Sequence, residues 1–286
     1  MAENEVYTRI YSGIEELPTL PAVIPRLLRA FDDKNLNTAG LAELISSDPS
    51  LTSKILKTAN SAYYGFSQQI ASLEYAAALL GFNMVKSLAL SIGVMTSLPG
   101  GRGSAFFDPG KLWQHNIATA RAMEKIAGKV KGIREDSPLF VIGLLHDIGK
   151  LVLDQFFNQE FSAALEQART DDSVALHTGL KKRIGMDHNQ VAAMLFQRWN
   201  FPDNIKMPIQ LHHSKERFDS CFSLEISILR LGNSIARQAD IGSDGNAGSL
   251  RIRDYDLENT GLGREDMDEI TGELLNEKEA IAAFLG

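Results

Sequence analysis

The chain has one cysteine, Cys221, in 286 residues, so no internal disulfide can form and the reducing cytoplasm is the expected setting. It also lacks a long hydrophobic run. A membrane-crossing helix needs roughly 20 apolar residues. The best stretch, residues 88–98, is shorter and is broken by Ser91, Gly93 and Thr96, so no membrane partner is expected. The amino end, MAENEVYTRIYSG, has no apolar segment resembling the core of a secretory signal. Basic residues are outnumbered, 29 against 36 acidic, and the resulting charge of -7 sets the overall field against a phosphate backbone, which makes nucleic acid an unlikely partner. The densest basic patch, Lys181-Lys182-Arg183, reads as a solvated helix end or loop. Alternating strand patterns and hairpin dipeptides between apolar runs are scarce as well, which excludes a β-rich fold.

What remains is helical spacing, and the chain is expected to be all-α, with 44% hydrophobic residues to fill its core. Ile24, Leu27, Leu28 and Phe31 form one stripe, and Leu41, Leu44 and Ile45 the next. Asp48-Pro49 predicts a helix start, because aspartate caps free amides and proline fits the first helical position. Helices are expected over 73–80 and 83–96, parted by Gly81. The glycine-rich stretch LPGGRGSAFFDPG, 98–110, predicts a connection, giving an amino-terminal helical subdomain over 1–100 and a second over 101–240. Helices are predicted there at 112–130, 138–148, 157–169, 189–200, 204–213 and 224–239. Residues 241–286 are expected to be a long loop over 242–263 followed by an amphipathic helix over 264–285, using Met267, Ile270, Leu274 and Ile281.

All six histidines lie between residues 115 and 213. The strongest element is Leu144-Leu145-His146-Asp147-Ile148-Gly149-Lys150, where an imidazole and a carboxylate enter apolar sequence. A buried carboxylate needs positive charge beside it, and a divalent cation held by adjacent nitrogen and oxygen ligands supplies it. His115 flanks the stripe that runs through Met123, Ile126 and Val130. Asp187 is placed to cap a helix whose first turn carries His188 on the same face as Val191, Ala192 and Leu195. His212 and His213 end a helix with Ile205, Pro208 and Ile209 inward. A lone histidine on an apolar face is more often a hydrogen-bonded core residue than a ligand, and a metal-free network around Asp147 remains an alternative for the whole cluster. His177 precedes the basic, exposed-looking segment and keeps the bland reading, a histidine that is not a metal ligand. Lys150 reads either as a charge at a helix C-terminus or as a group that steadies a phosphate beside the metal.

The segments LPTLPAV, ISSDPSLTSKILKTANSAYYG and LEYAAALLGFNMVKSLAL, within 17–98, resemble the amino-terminal half of the HD-related output-domain (HDOD) family. HDIGK, DHNQVAAMLFQRWNFPDNI and the HH pair resemble the HD metal-dependent phosphohydrolase superfamily, of which that family is a branch. The two together span residues 12–240. The resemblance implies a bridging carboxylate at Asp147. One metal would take His115, His146, Asp147 and a late-helix aspartate; the other would take Asp147, His188, His212 and His213. The chain departs from that pattern at Asn233, in LRLGNSIAR, where the aspartate is expected, so the first metal loses an anionic ligand. The Gly-Tyr-Pro loop of cyclic-dinucleotide phosphodiesterases is replaced by HHSKERFDS, which argues against cyclic di-GMP hydrolysis.

Two functions follow as expectations. The first is a bacterial signal-transduction output protein that keeps a partly degenerate HD metal site and presents its first half to a protein partner. The alternative is a metal-dependent phosphohydrolase acting on a nucleotide or other phosphoester, with Asp147 and Lys150 as catalytic residues. Either takes one or two divalent transition-metal ions, with iron, manganese, nickel and zinc all suited to the donor set.

Overall fold

Helix starts in this chain are set by side chains that accept backbone amides. Asp48 Oδ1 accepts Leu51 N at 3.0 Å, and Ser72 and Asp108 cap in the same way, Asp48 and Asp108 each followed by proline. The structure, a computed structural model, describes residues 3–30, 35–98, 104, 106–171, 174–214, 221–247 and 252–284. The first part contains α1 (Glu3–Glu16), α2 (Val23–Ala30), α3 (Thr38–Ser46), α4 (Pro49–Ala59), α5 (Leu73–Leu80) and α6 (Phe82–Ser97). The second contains α7 (Pro109–Lys129), α8 (Leu139–Leu145), α9 (Gly149–Phe156), α10 (Asn158–Thr170), α11 (Leu176–Ile184), α12 (His188–Arg198), α13 (Asp203–Leu211) and α14 (Ser223–Gln238). The chain continues through α15 (Asp254–Thr260), α16 (Arg264–Asn276) and α17 (Lys278–Ala283). Among the described residues there is no strand, and the fold is all-α.

Several elements differ from expectation. The helix predicted over 138–148 ends at Leu145; the chain turns through His146, Asp147 and Ile148 and restarts as α9. Lys150 therefore lies in the first turn of a helix, not at a helix C-terminus, and the dipole argument for it does not apply. The loop expected over 242–263 contains α15, which has little apolar periodicity and is anchored by polar contacts. Buried Asp256 accepts from Ser227 Oγ at 2.9 Å and pairs with Arg230 at 3.1 Å. The helix predicted over 264–285 breaks at Glu277 into α16 and α17. Met267, Ile270, Leu274 and Ile281 are buried as expected. Phe31, Leu285 and residues 99–103 and 105 of the predicted 98–110 connection lie outside the described residues.

Apolar side chains from both parts join one continuous cluster, with α6 packed on α2, α4 and α5 on one side and on α8 on the other. In the second part α7 lies along α14 and against α8. The contact with α8 is close because of Gly143: a Cβ there would stand 2.5 Å from Ala120 Cα. The acidic α16 docks on the other flank of α7, with Lys125 paired to Glu273 at 2.6 Å and Lys129 to Glu269 at 2.8 Å. Such exposed pairs are worth about 0.2–1 kcal/mol each, whereas fully burying a side chain such as Ile270 or Leu274 contributes roughly 1.5–3 kcal/mol. Apolar packing therefore holds this flank, and the charges set its register. No single helix among the described residues is long and apolar enough to cross a membrane. Only α5 and α6 together pass that test, and they are bent by 119°.

Candidate metal centre

Four helices and the turn after α8 deliver the histidines and Asp147 to one place. His115 projects inward from the middle of α7, and its ring centroid lies 5.5 Å from that of His146. His146 follows α8 directly, and His212 follows α13 in the same way. Each of these two rings turns back on its own helix: His146 Nδ1 is 2.7 Å from Gly143 O, and His212 Nδ1 is 2.7 Å from Ile209 O. A helix C-terminus leaves its last carbonyls unpaired, so each ring can satisfy one by donating from Nδ1–H. That bond fixes the tautomer and leaves Nε2 as a free lone pair, the arrangement metal-bound histidines commonly have. His188 enters from the first turn of α12, where Asp187 and Gln190 form a reciprocal cap: Asp187 Oδ1 accepts Gln190 N at 3.0 Å, and Gln190 Oε1 accepts Asp187 N at 3.1 Å.

Two groups result. The ligand atoms of His115, His146 and Asp147 lie within 4.8 Å of one another, and so do those of His188, His212 and His213. Asp147 stands between them, with Oδ2 at 3.4 Å from His146 Nε2 and Oδ1 at 3.0 Å from His188 Nε2. The second contact lacks the geometry of a hydrogen bond, and both of its atoms are buried without any partner, as are His146 Nε2 and His212 Nε2. Native interiors rarely leave so many polar atoms unpaired. Lone pairs of three imidazoles and a carboxylate gathered in this way are a donor set that a cation fits.

The electrostatics favour neutral rings at His115, His188, His212 and His213 beside an ionised carboxylate. Burial pushes His115 down to about 4, against a smaller upward pull from Asp244. His188 is lowered by burial and by Lys150, and His212 and His213 fall well below the usual range through burial and their neighbouring imidazoles. Burial alone would raise Asp147, but His146 and Lys150 outweigh it and hold the carboxyl well below its ordinary range.

Lys150 is arranged otherwise than for gripping a substrate. Its ammonium is 1% exposed and donates to Asp147 Oδ2 at 2.6 Å and to Asp244 O at 2.8 Å, so it is already committed inside the protein. Gly149 before it has a steric reason: a Cβ there would lie 2.0 Å from His188 O, so only glycine lets α9 rest on the start of α12. Asn233 is buried on α14 with Oδ1 unpartnered, and it lines a cavity of about 60 Å³ with His212, His213, Arg230 and Arg253. His177, expected to be no ligand and to precede an exposed-looking segment, stacks on His213 with centroids 4.2 Å apart and rings 12° from parallel. Burial lowers it to about 4. Asp244 was missed in sequence, because it sits in a polar loop whose path only the fold reveals. Residues 215–220, where the cyclic-dinucleotide loop was sought, lie outside the described residues.

The family model for the HDOD domain matches residues 17–215 of the chain, which is most of its length. The chain belongs to the HDOD family. Among solved HDOD-like structures, a protein of unknown function from Geobacter sulfurreducens superposes with a TM-score of 0.79 at 22% identity, covering 98% of this chain and 96% of that one. A candidate signal transduction protein from Marinobacter aquaeolei VT8 gives 0.81 at 23% identity, over 100% of this chain and 66% of that one. A curated relative, an uncharacterised protein of Treponema pallidum (strain Nichols), is 25% identical over 234 residues. That stretch is 81% of this chain but 44% of the relative, so the chain spans less than half the length of that protein. At these identities the solved structures speak to the HDOD fold alone. The family match ends before α14 and α15, so Asn233, Arg237, Asp244 and Arg253 are contributions from outside it.

Proposed function

We propose that this HDOD chain is a signal-transduction output protein of the bacterial cytoplasm. In this reading the histidine centre holds a divalent transition metal as a structural or sensing core, and the amino-terminal half meets a protein partner. The observation that carries the proposal is enclosure. His115, His146, Asp147, His188 and His212 are each at most 2% exposed, and the adjoining cavity of about 60 Å³ is far below the roughly 300–1,000 Å³ of ordinary ligand pockets. Among the described residues, that cavity has no room for a nucleotide. The larger cavity, about 920 Å³ between α4, α6 and Phe284, contains none of the histidines. Exposed Phe66, Tyr75 and Leu79 supply apolar surface on the amino-terminal half for a partner.

Iron, manganese, nickel or zinc would suit the nitrogen-rich set with its one carboxylate. Bound there, the ion would offset the charge of Asp147 and tie the turn after α8 to α12 and the end of α13. A second reading, a phosphohydrolase, is favoured by one feature, the placement of Asp147 between two donor groups. When bound, a metal in such a centre supplies a Lewis acid and an activated water. The test is hydrolysis of a generic phosphoester by manganese- or iron-loaded protein. The expected outcome is no turnover by the parent, with Asn233→Asp gaining orders of magnitude if the centre is a degenerate enzyme. Turnover by the parent that Asp147→Ala abolishes would reject the output reading in favour of the hydrolase.

A further inference from the structure

The two oxygens of Asp147 are not equivalent. Oδ1 faces His188 at 3.0 Å and has no hydrogen bond. Oδ2 faces His146 at 3.4 Å and accepts the 2.6 Å bond from Lys150. The ammonium is locked in that position. The carbonyl of Asp244 accepts from it at 2.8 Å, and the carboxylate of Asp244 stands 3.8 Å away. Asp244 is fixed in turn: Asn246 donates to its two oxygens from N at 3.1 Å and from Nδ2 at 2.7 Å, and Arg237 lies 3.7 Å off. The turn carrying Asp244 is pressed onto the helix that bears His115. Ser243 N donates to Lys111 O at 2.9 Å, and a Cβ on Gly242, whose φ is +69°, would lie 2.2 Å from that carbonyl and 2.4 Å from His115 N. This brace comes wholly from beyond the family match.

We propose that the Lys150 ammonium is the resident cation on the His115–His146 side, so that the centre takes a single divalent ion, held by His188, His212, His213 and Asp147 Oδ1. The inference rests on the metal reading above and refines it. On the Lys150 side the donors are two imidazoles and an oxygen whose charge an ammonium already matches. The position where the resemblance implies a further aspartate is Asn233, which brings no charge. A dication about 4 Å from a fixed ammonium, at an effective dielectric near 20, is disfavoured by several orders of magnitude. On the other side stand three imidazoles whose ligand atoms lie within 4.8 Å of one another, and Asp147 Oδ1, 3.0 Å from His188 Nε2, is the oxygen turned toward them; three nitrogens and one oxygen are a donor set that transition metals take.

The test is cobalt(II) stoichiometry. Protein stripped with chelator is equilibrated with excess cobalt(II), freed of unbound metal, and assayed for metal per chain by elemental analysis and for coordination by visible absorption. The parent should hold one ion, His115→Ala should still hold one, and His188→Ala should hold none. Lys150→Met, which removes the charge while keeping the length, should hold two. Should Lys150→Met fail to fold, the contrast between His115→Ala and His188→Ala decides the matter. Two ions in the parent, loss of the ion in His115→Ala with retention in His188→Ala, or a single ion in folded Lys150→Met would each overturn the proposal while leaving metal binding intact. A parent that takes no cobalt(II) would overturn both this proposal and the metal reading.

Discussion

Separating Asp147 from Lys150 perturbs the centre in a way whose cost can be worked out. The two groups meet at 2.6 Å with both side chains about 1% exposed, so neither can turn to water if its partner is lost. Removing one member of a buried pair leaves an uncompensated charge and typically costs about 3–5 kcal/mol, whereas replacing both by apolar or neutral groups is often close to neutral. In metal-free protein held in chelator, Asp147→Asn and Lys150→Met should therefore each lower stability by about 3 kcal/mol or more. The double variant should lose far less than the sum, giving a coupling of about 2–4 kcal/mol. Lys150 also keeps the Asp244 carbonyl, which places Lys150→Met at the costlier end. Urea denaturation followed by circular dichroism measures all four proteins. Single variants that each lose less than about 1 kcal/mol, or losses that simply add, would show that this pair is solvated and that the enclosed geometry is wrong.

Other consequences can be checked in the same protein. His115 is held neutral down to about 4 while its unfolded counterpart takes a proton near 6.5, so the unfolded chain binds more protons between these values. The stability of chelated protein should be full above pH 6.5 and fall by about 3 kcal/mol from this residue alone as pH drops to about 4. His188, His212 and His213 shift in the same direction, and a flat urea midpoint across that window would contradict the neutral cluster. Gly149→Ala should cost about 1–3 kcal/mol or more by forcing α9 off His188 O, and should weaken metal uptake although no donor is changed. Unaltered stability and uptake would refute the close approach. Asp187→Ala removes the cap of α12 and should cost about 0.5–2 kcal/mol by thermal unfolding, with His188 the donor most displaced.

Much of the centre was legible because histidine is rare in this chain and falls on predicted apolar helix faces. His115 beside the Met123–Ile126 stripe, and His188 beside Val191 and Leu195, are both buried where periodicity put them. The Asp187 cap was legible from chemistry alone. What escaped were features decided by long-range packing. The sharp turn at His146–Ile148 hides inside a continuous apolar run, so α9 and the true setting of Lys150 were invisible. Asp244 lies 94 residues from Lys150 in a glycine-rich loop, and nothing in the local sequence marks its carbonyl as a partner. The segment around His177 looks solvated because Lys181, Lys182 and Arg183 follow it, and they are indeed the exposed last turn of α11. The ring itself faces His213, a contact between helices distant in sequence. α15 escaped because buried polar pairs, Asp256 with Arg230 above all, anchor it in place of an apolar stripe.

The most direct test of the account is anomalous diffraction from crystals grown with manganese and recorded near its absorption edge. The expected result is an ion bounded by His188 Nε2, His212 Nε2, His213 and Asp147 Oδ1. Crystals in which those atoms are bonded to one another or to water, with no anomalous peak among them, would contradict it.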